Sequence, residues 1–406
     1  MLRRLEFARF RTYRTSDLEL VRFQPVLGPI GAGKSALLDA ISFVADLVRV
    51  GPDLAVRGSA RDGIEPRALR ARDLLDGSET DSFEIALEWD IDPAQRAALA
   101  GEFATIRYEL EVAMPGSSDD LAIRTEAVFL KPVDPPRGPL RQGALFETED
   151  EAKPTLRARN ATPLGWRRIV NKSEKMPRVH LQSETGSWHT TFRFSPDRSV
   201  LSQLPDDDEK FPATLALRSA LLRGIERVQL SANGLRTPAL AVQDPPPARF
   251  DGSLLALRLA RLERSDPARF VAWLGEVKSA LLGVDSARVV ERVEDRRRVL
   301  VLRGKDGRER AATLASEAVL RTLALTAVAH TAGSSALVLI EDPDAGLDDL
   351  ALDAVLTAFG RDGAPQVLIA SAAPAVERRL KDRDPIYCSR DSHGTSRAAR
   401  ALARMR

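Results

Sequence analysis

Apolar residues follow two different periods in the first third of the chain. The stretches 83–89 and 106–112 alternate strictly between apolar side chains and others, which is typical of half-buried antiparallel strands. Residues 2–27 show a looser version of this pattern and are predicted to form two strands and a turn. From Ser35 to Arg49 the apolar residues recur at helical spacing instead. The start of the chain therefore predicts strands followed by a helix.

The last third of the chain alternates between strands and helices. Apolar runs at 336–340 and 367–370 predict two buried strands, and helices are predicted near 316–330 and 348–360. Parallel strands need crossover connections of this kind. The alternation therefore implies a parallel sheet that is covered on both faces.

The middle of the chain is harder to interpret. Residues 131–164 are rich in proline, glycine and charge, and are predicted to form a loop or insertion. We therefore predict three segments. They are an N-terminal lobe at 1–130, an irregular insertion with a helical or arm region at 131–300, and a C-terminal lobe at 301–406.

Composition excludes several classes of protein. The chain has 406 residues, of which 44% are hydrophobic and 29% charged, as is usual for soluble globular proteins. Its apolar runs fall short of the roughly 18 residues that a membrane span needs, and the N-terminus lacks the apolar core of a secretory signal. The single cysteine, Cys388, cannot form an intrachain disulfide. We therefore expect a cytoplasmic protein with no membrane partner.

Charge is nearly balanced along the chain. Lysine and arginine number 60 and acidic residues 58, for a net charge of +2, which argues against a protein that coats DNA through bulk charge. A local basic groove remains open. The run Arg296–Arg298 lies on a predicted hairpin at 287–302. It is interpreted as a solvated hairpin face, with a contact to DNA or a partner as the alternative.

One glycine-rich stretch matches the phosphate-binding pattern G-x-x-x-x-G-K-[ST]. It runs Gly28-Pro29-Ile30-Gly31-Ala32-Gly33-Lys34-Ser35. Its glycines allow backbone N–H groups to turn towards a polyphosphate, and the helix that follows points its positive end at the same place. Lys34 would reach the β- and γ-phosphates and Ser35 would bind Mg²⁺. The stretch predicts an ATP site with Mg²⁺.

A phosphate loop of this kind needs an acidic partner at the end of a buried strand. Glu341 and Asp342 follow directly after the predicted strand 336–340. Glu341 would hold Mg²⁺ through water, and Asp342 would orient the attacking water. The alternative is an ordinary solvated turn at the tip of a strand.

These motifs together resemble those of RecF, SMC and related ABC-type ATPases of the AAA family. The resemblance rests on the loop with the following Leu37–Ile41, on Ile340–Leu347, on a signature-like Leu314–Arg321 and on a closing stretch Ser389–Ser396. It covers about 1–130 and 215–406. It implies an α/β P-loop NTPase fold of ABC type, with a parallel core sheet, additional antiparallel strands and a middle insertion.

The resemblance also implies how such a protein works. In that group two heads enclose two ATP molecules, each lying between the phosphate loop of one head and the signature of the other. Ser316, the signature serine, would touch the γ-phosphate across a homodimer. Arg11 lies where the group places a basic residue near the nucleotide, although a solvated strand arginine is the alternative. DNA and an effector protein are the further candidate partners.

The sequence departs from the group at four positions. Ile30 stands where asparagine is usual, and Ala318 replaces the signature glycine, which crowds the backbone near phosphate. Ala372 stands where the group has its switch histidine, and Asp342 is one methylene shorter than the usual glutamate. Because a displaced general base works poorly, we expect tight binding of Mg²⁺–ATP and slow hydrolysis.

Three functions remain open at this point. The preferred one is a slow ATPase head that dimerises on ATP as a switch, in DNA maintenance and repair or in anti-phage defence. The alternatives are a nucleotide-binding scaffold without turnover that serves a partner effector, and a DNA-stimulated repair ATPase. A transporter ATPase is disfavoured, because 131–300 does not resemble the helical domain of a transporter.

The histidines lack the spacing of a metal site. They are His180, His189, His330 and His393.

Overall fold

A computed structural model describes most of the chain and divides it into two compact units. The described residues are 1–77, 80–114, 121–132, 156–157, 162–174, 178–195, 197–240, 249–333 and 336–400. The first unit comprises 1–21, 31–222 and 388–399, and the second comprises 22–30, 223–387 and 400–406. The chain therefore passes between the units inside the glycine loop, after Ile30, and again after Tyr387.

The strands and helices are numbered in chain order. The strands are β1 (Leu2–Phe10), β2 (Tyr13–Glu19), β3 (Phe23–Leu27), β4 (Ser82–Asp90), β5 (Thr105–Ala113), β6 (Ala122–Lys131), β7 (Arg167–Ser173), β8 (Val179–Gln182), β9 (His189–Phe192), β10 (Ile225–Val228), β11 (Ala239–Leu240), β12 (Arg249–Phe250), β13 (Val284–Glu291), β14 (Arg297–Gly304), β15 (Glu309–Ala311), β16 (Leu337–Glu341), β17 (Gln366–Ser371), β18 (Ile386–Arg390) and β19 (Ser396–Arg400). The helices are α1 (Lys34–Val50), α2 (Pro52–Arg57), α3 (Pro93–Arg96), α4 (Val200–Gln203), α5 (Pro212–Arg223), α6 (Ala232–Arg236), α7 (Leu255–Ser265), α8 (Pro267–Ala280), α9 (Glu317–Thr331), α10 (Asp349–Gly360) and α11 (Pro374–Leu380). Short 3₁₀ turns lie at Ala71–Leu74 and Ala312–Leu314.

The first unit is built on an eight-stranded antiparallel sheet. Its strand order is β2-β1-β4-β5-β6-β7-β8-β9. An aromatic cluster packs α1 against this sheet, with ring centroids 5.1–6.2 Å apart. Its members are Phe7, Phe10, Tyr13, Phe43 and Phe83. These buried rings fix the helix that follows the glycine loop.

Residues 2–27 form three strands, where the sequence predicts two. A tight turn after β1 separates it from β2, and β3 joins a different sheet. Arg9 and Arg11 take left-handed backbone conformations near this turn, with φ of 59° and 53°. Turns of this kind are commonly marked by glycine or asparagine. Because arginine takes their place here, the turn carries no sequence signal.

Part of the predicted irregular insertion is regular. The described residues between 165 and 195 contribute β7, β8 and β9 to the edge of the eight-stranded sheet. Most side chains of β7 are polar and only half-buried, so no clean alternation marks the strand. Residues 133–155 and 158–161 lie outside the described residues. The three predicted segments stay a prediction.

The second unit contains a mostly parallel sheet of the predicted kind. Its strand order is β12-β10-β16-β17-β3-β18, and every pair from β12 to β18 is parallel. Helices α7 to α10 share a buried core with this sheet, in which Trp273 is fully buried. The Trp273 indole N–H donates to Thr326 Oγ1 at 3.1 Å. Asp266 caps α8 and Pro267 begins it, which separates α8 from α7.

The predicted hairpin is formed by β13 and β14, which pair antiparallel. Its arginines face carboxylates of the same hairpin: Arg292 and Arg297 lie beside Asp295, and Arg296 beside Glu291. These exposed pairs neutralise much of the basic run. The arrangement favours the solvated hairpin face over a nucleic-acid contact.

None of the helices in the described ranges is both long enough and apolar enough to cross a membrane.

A network of buried charges connects the central strands of the first unit. The Arg107 guanidinium on β5 donates to Glu6 at 2.8 and 3.0 Å, to Glu88 at 2.7 Å and to Glu109 at 2.6 Å. Burial alone would raise the pKa of Glu88, but Arg107 and Lys131 outweigh it and hold that pKa below its ordinary value. Glu88 stays ionised because Arg107 and Lys131 lie beside it.

We predict that Arg107→Met lowers the free energy of unfolding of the first unit by about 3–5 kcal/mol, because it leaves buried carboxylates without their cation. Urea denaturation at neutral pH measures the loss. A carboxylate with a depressed pKa stabilises the fold above its unfolded pKa, which is 4.5 for Glu88. The deficit of the variant should therefore shrink as the pH falls below this value. The control is Arg288→Met, which removes an exposed pair with Glu309 and should leave the midpoint unchanged. Equal effects of the two variants would contradict the prediction.

Candidate functional site

The glycine loop takes the backbone conformation that its glycines allow. Gly28, Gly31 and Gly33 have φ values of 147°, 78° and 99°. Helix α1 starts directly after Gly33, and its first helical hydrogen bond runs from Leu37 N–H to the carbonyl of Gly33 at 3.1 Å. The N–H groups of the first turn of a helix have no partner within that helix. A polyphosphate is a suitable acceptor for such groups.

The two polar residues at the start of α1 differ in exposure. Lys34 is 8% exposed and Ser35 is exposed. Cys388 lies near the Lys34 ammonium, whose charge offsets part of the rise that burial causes in the pKa of this thiol. Tyr13 donates its hydroxyl to Cys388 Sγ at 3.5 Å, and burial raises the pKa of Tyr13 as well. Lys34 is thus the charged group beside a buried neutral pair.

The C-terminal strand β19 packs directly against the loop. A Cβ atom added to Gly33 would lie 2.7 Å from Ser396 Oγ and 2.8 Å from the Tyr13 ring. Ser396 is itself fixed, because its N–H donates to the Thr12 carbonyl at 2.7 Å and its hydroxyl to Thr12 Oγ1 at 2.8 Å. Residue 33 therefore has to be glycine for two reasons, its positive φ and its lack of space.

Arg11 lies against α1. Its Nη2 is 2.6 Å from Asp39 Oδ2, and Arg67 Nε donates to the other oxygen of Asp39 at 2.9 Å. Arg67 also pairs with Asp46 at 2.6 Å, about two helical turns further along the same face of α1. The structure therefore gives Arg11 a carboxylate partner on the loop helix. Its predicted contact with a nucleotide stays a prediction.

The acidic residues lie at the carboxyl edge of the parallel sheet in the second unit. In the register of β16, β17 and β3, Glu341 pairs with Ala370 and Ala370 pairs with Val26. Because neighbouring strands are about 4.8 Å apart, the backbones at Glu341 and Val26 are separated by roughly 10 Å. Gly28 follows two residues after Val26, so the loop begins at the same edge as the acidic pair.

Asp342 occupies a special backbone position. Its φ is 46°, its N–H donates to the Ala370 carbonyl at 2.8 Å, and its carbonyl accepts from Ala345 N–H at 3.1 Å. The residue is exposed, while the preceding Glu341 is half-buried. The left-handed conformation costs aspartate less than most other residues, because its short polar side chain can hydrogen-bond locally. This backbone turn therefore directs Asp342 away from β16 and towards solvent.

Two neighbours of this pair were not predicted from the sequence. Arg227, on the adjacent strand β10, forms an ion pair with Glu341. Ser371 donates its hydroxyl to Asp344 Oδ1 at 2.7 Å and accepts from Ala373 N–H at 3.0 Å. Parallel pairing of β10 with β16 brings Arg227 to Glu341. Arginines are abundant along the chain, so the sequence gives no signal that singles out Arg227.

Ala372 stands between these elements and α11. It is half-buried and follows the last residue of β17. A methyl group neither donates a hydrogen bond nor transfers a proton. The position where the group has its switch histidine therefore lies at the same sheet edge as Glu341. The alanine found here cannot act as that histidine would.

Ser316 is the N-cap of α9 and is exposed. Its Oγ accepts from Val319 N–H at 3.4 Å, and Glu317 and Ala318 begin the helix. Arg236 holds the preceding loop by donating to the carbonyls of Thr313 and Ala315. The signature-like stretch thus presents a helix N-terminus to solvent in the second unit. In the described part of the chain, no group of three or more His, Cys, Asp or Glu side chains could hold a metal ion.

We predict that Gly33→Ala destabilises the first unit more than a glycine replacement that meets only backbone strain. The control is Gly63→Ala, because Gly63 has a φ of 67° and open space around its Cβ position. The control should cost about 1–2 kcal/mol, the usual penalty of a left-handed residue. Gly33→Ala should cost more, and Ser396→Gly should recover part of the difference. Thermal unfolding of the four chains checks this, and equal melting temperatures for the two alanine variants would contradict it.

Comparisons with known proteins bear on the family and the fold of the chain. The sequence family described as "AAA domain, putative AbiEii toxin, Type IV TA system" matches residues 172–371. No curated protein matches the chain. Among solved structures, the Smc head bound to the C-winged helix domain of ScpA matches with a TM-score of 0.55 and 15% identity, over 100% of this chain and 99% of that chain.

A second solved structure gives the same result. The Smc head domain with an extended coiled coil, bound to the C-terminal domain of ScpA derived from Pyrococcus furiosus, matches with a TM-score of 0.53 and 13% identity. The similarity covers 100% of this chain and 97% of that chain. Similarity at this level of identity shows a common fold. It confirms the predicted mixed α/β architecture of an ABC-type head. The family match and the fold are both in line with the resemblance to ABC-type AAA ATPases of the RecF/SMC group.

Proposed function

We propose that the protein is an ATP-binding head that dimerises when ATP binds and hydrolyses it slowly, so that it acts as a switch. The observation that carries this proposal is the row Glu341, Ala370 and Val26 across three parallel strands. It brings the start of the glycine loop and the acidic pair to one edge of one sheet. Ligands of open α/β sheets bind at the carboxyl ends of the strands.

The residues present fit Mg²⁺–ATP by their chemistry. Lys34 would neutralise charge on the β- and γ-phosphates, and the loop N–H groups would hold their oxygens. The exposed Ser35 hydroxyl and Glu341 are oxygen ligands of the kind that Mg²⁺ prefers. The metal would offset negative charge on the phosphates. Arg227, the ion-pair partner of Glu341, would orient this carboxylate. Its positive charge would also weaken the attraction of this sheet edge for further cations.

Slow hydrolysis follows from three residues. Asp342 would orient the attacking water, but its carboxylate reaches one methylene less far than glutamate. Ala372 supplies no proton relay, and Ala318 puts a methyl group where phosphate would approach the signature helix. A misplacement of about 1 Å can cost on the order of 10²-fold in rate. The left-handed backbone at Asp342 and the exposure of this residue support a role at the water that attacks ATP.

We predict that the native chain turns over ATP well below the roughly 10 s⁻¹ of an ordinary enzyme and dimerises with ATP. Lys34→Ala should abolish both, because it removes the cation that binds the terminal phosphates. Phosphate release and light-scattering mass, each with and without DNA, measure these effects. The matched control is Lys305→Ala, a change in an exposed hairpin turn of the second unit. Fast turnover, or ATP-dependent dimers of Lys34→Ala, would contradict the proposal.

We predict that Ala372→His raises turnover by about tenfold or more, because general acid–base groups contribute about 10²–10⁴-fold when well placed. The affinity for ATP should change little, since residue 372 lies at the carboxyl edge of the parallel sheet, beside Glu341, and outside the glycine loop. Single-turnover kinetics separates the two quantities. The companion variant Ala372→Asn offers a hydrogen bond without a proton relay and should gain less. An unchanged rate for Ala372→His would show that the step is limited elsewhere.

A scaffold without turnover is the second candidate function. The half-buried methyl group of Ala372 at the reacting edge favours it. Such a scaffold would still dimerise with ATP, but its output would lie in a partner effector. The measurements above separate the two, because the scaffold predicts ATP-dependent dimers with no phosphate release in any buffer.

DNA maintenance and repair or anti-phage defence is the proposed setting, in the cytoplasm. The similar Smc heads are bound to domains of ScpA, which supports a protein partner for this chain as well. The carboxylates that pair with the hairpin arginines weaken the case for a DNA contact there. DNA-stimulated turnover in the assay above would favour the repair setting, and its absence would favour an effector partner.

A further inference from the structure

An open cavity of about 310 Å³ lies beside Ser316 in the second unit. We call it the signature cavity, and its apolar lining includes Val284, Leu302, Leu314 and Val319. Leu302 is buried in the core of this unit, and Val284 and Val319 are half-buried and pack against that core. The apolar floor of the cavity is therefore continuous with the core.

Leu314 forms the exposed rim of this cavity. It is 79% exposed and ends the 3₁₀ turn Ala312–Leu314. Arg236 fixes this turn by donating to the carbonyls of Thr313 and Ala315. A single exposed leucine is ordinary on a protein surface. A leucine that is held at the mouth of an apolar cavity, however, is well placed to close over an apolar side chain from another molecule.

Three arginines also line the signature cavity, but their charges are offset locally. Arg308 and Arg310 pair with Asp306 at 4.0 and 3.4 Å. Arg303 lies opposite Glu309 in the pairing of β14 with β15. The aliphatic stems of such arginines can cover apolar surface while their charged ends stay in water. The cavity therefore suits an apolar side chain.

A second apolar feature lies at the tip of the glycine loop. Ile30 is 92% exposed, and its neighbours Pro29 and Gly31 are exposed as well. Within the described part of the chain, a Cβ atom added to Gly31 would meet no neighbour within 4 Å. Phosphate binding by such a loop uses its N–H groups and Lys34. It therefore does not account for an isoleucine where asparagine is usual.

We propose that Ile30 of one copy inserts into the signature cavity of a second copy and packs against Leu314 there. The proposal rests on the ATP-dependent dimer of the proposed function, in which the γ-phosphate on one loop reaches Ser316 of the other head. Leu314 lies two residues before Ser316, so their Cα atoms are at most about 7 Å apart. A phosphate that contacts both surfaces brings the loop tip to the mouth of the cavity. Because the dimer is symmetric, the contact forms twice.

This contact adds an apolar component to a dimer that ATP otherwise holds together. Burial of an isoleucine side chain is favourable, and screening by salt acts on charges and not on such burial. Contacts of this kind mainly slow the dissociation of a complex. The isoleucine at position 30 therefore prolongs the ATP-bound state of the switch.

Light scattering over a range of chain concentrations, in saturating ATP, measures the dissociation constant of the dimer. Ile30→Asn and Leu314→Asn should each raise this constant by about tenfold or more, because each removes an apolar side chain from both contacts. The double variant should raise it no further than the weaker-binding single variant, since both changes remove the same contact. The control is Val293→Asn, a change at a 90% exposed residue in the turn between β13 and β14, which should leave the constant unchanged.

Cysteine cross-linking tests the contact independently of any effect of the asparagine variants on ATP binding. A mixture of an Ile30→Cys chain with a Leu314→Cys chain should form a disulfide-linked dimer under mild oxidation with ATP, and little without ATP. Each variant alone should give less of this product. The native chain should give none, because Cys388 is fully buried.

The possible failures separate this contact from the function on which it rests. A native chain that stays monomeric with ATP would overturn both. A native dimer whose dissociation constant is unchanged in the two asparagine variants, or is raised additively in the double variant, would overturn the contact alone. The same conclusion would follow if the Val293→Asn control lost as much affinity, or if ATP-dependent dimers of the mixed cysteine chains failed to cross-link.

Discussion

The parallel pairing of β3 with β17 is the contact on which the candidate site depends. It joins residues 23–27 to residues 366–371, which are more than three hundred positions apart in the chain. Pairing over such a separation is entropically costly, and only extensive burial on both faces of the sheet offsets the cost. Once it forms, the register aligns Glu341 with the strand that leads into the glycine loop. The chemistry at this edge therefore depends on the whole core of the second unit.

Charge in this protein is mostly compensated locally. Arg107 satisfies three buried carboxylates in the first unit, and Asp295 and Glu291 neutralise the hairpin arginines in the second. The near-zero net charge thus reflects pairing at short range and carries no information about the sites.

Local sequence patterns predicted strands and helices. Contacts between distant parts of the chain could not be predicted from those patterns. The apolar runs predicted β16 and β17 to within one or two residues, because fully buried parallel strands leave a strong signal. Strand β7 was missed, since its half-buried polar side chains follow no period. The spacing of the glycine-rich motif named Lys34, the predicted buried strand that precedes Glu341 named that residue, and the resemblance to the RecF/SMC group named Ser316. Arg227 was not named, because it meets Glu341 only through strand pairing.

The central claim is that two copies complete each ATP site, with the loop of one head facing Ser316 of the other. Mixing two inactive chains tests it most directly: Lys34→Ala, which spoils the loop, and Ser316→Arg, which blocks the signature. Each mixed dimer would contain one complete site. The account predicts that neither chain alone releases phosphate, and that their equimolar mixture does so at no more than about half of the native rate, because each mixed dimer has one of two sites. A mixture as inactive as its components, although light scattering shows mixed dimers with ATP, would contradict a shared site.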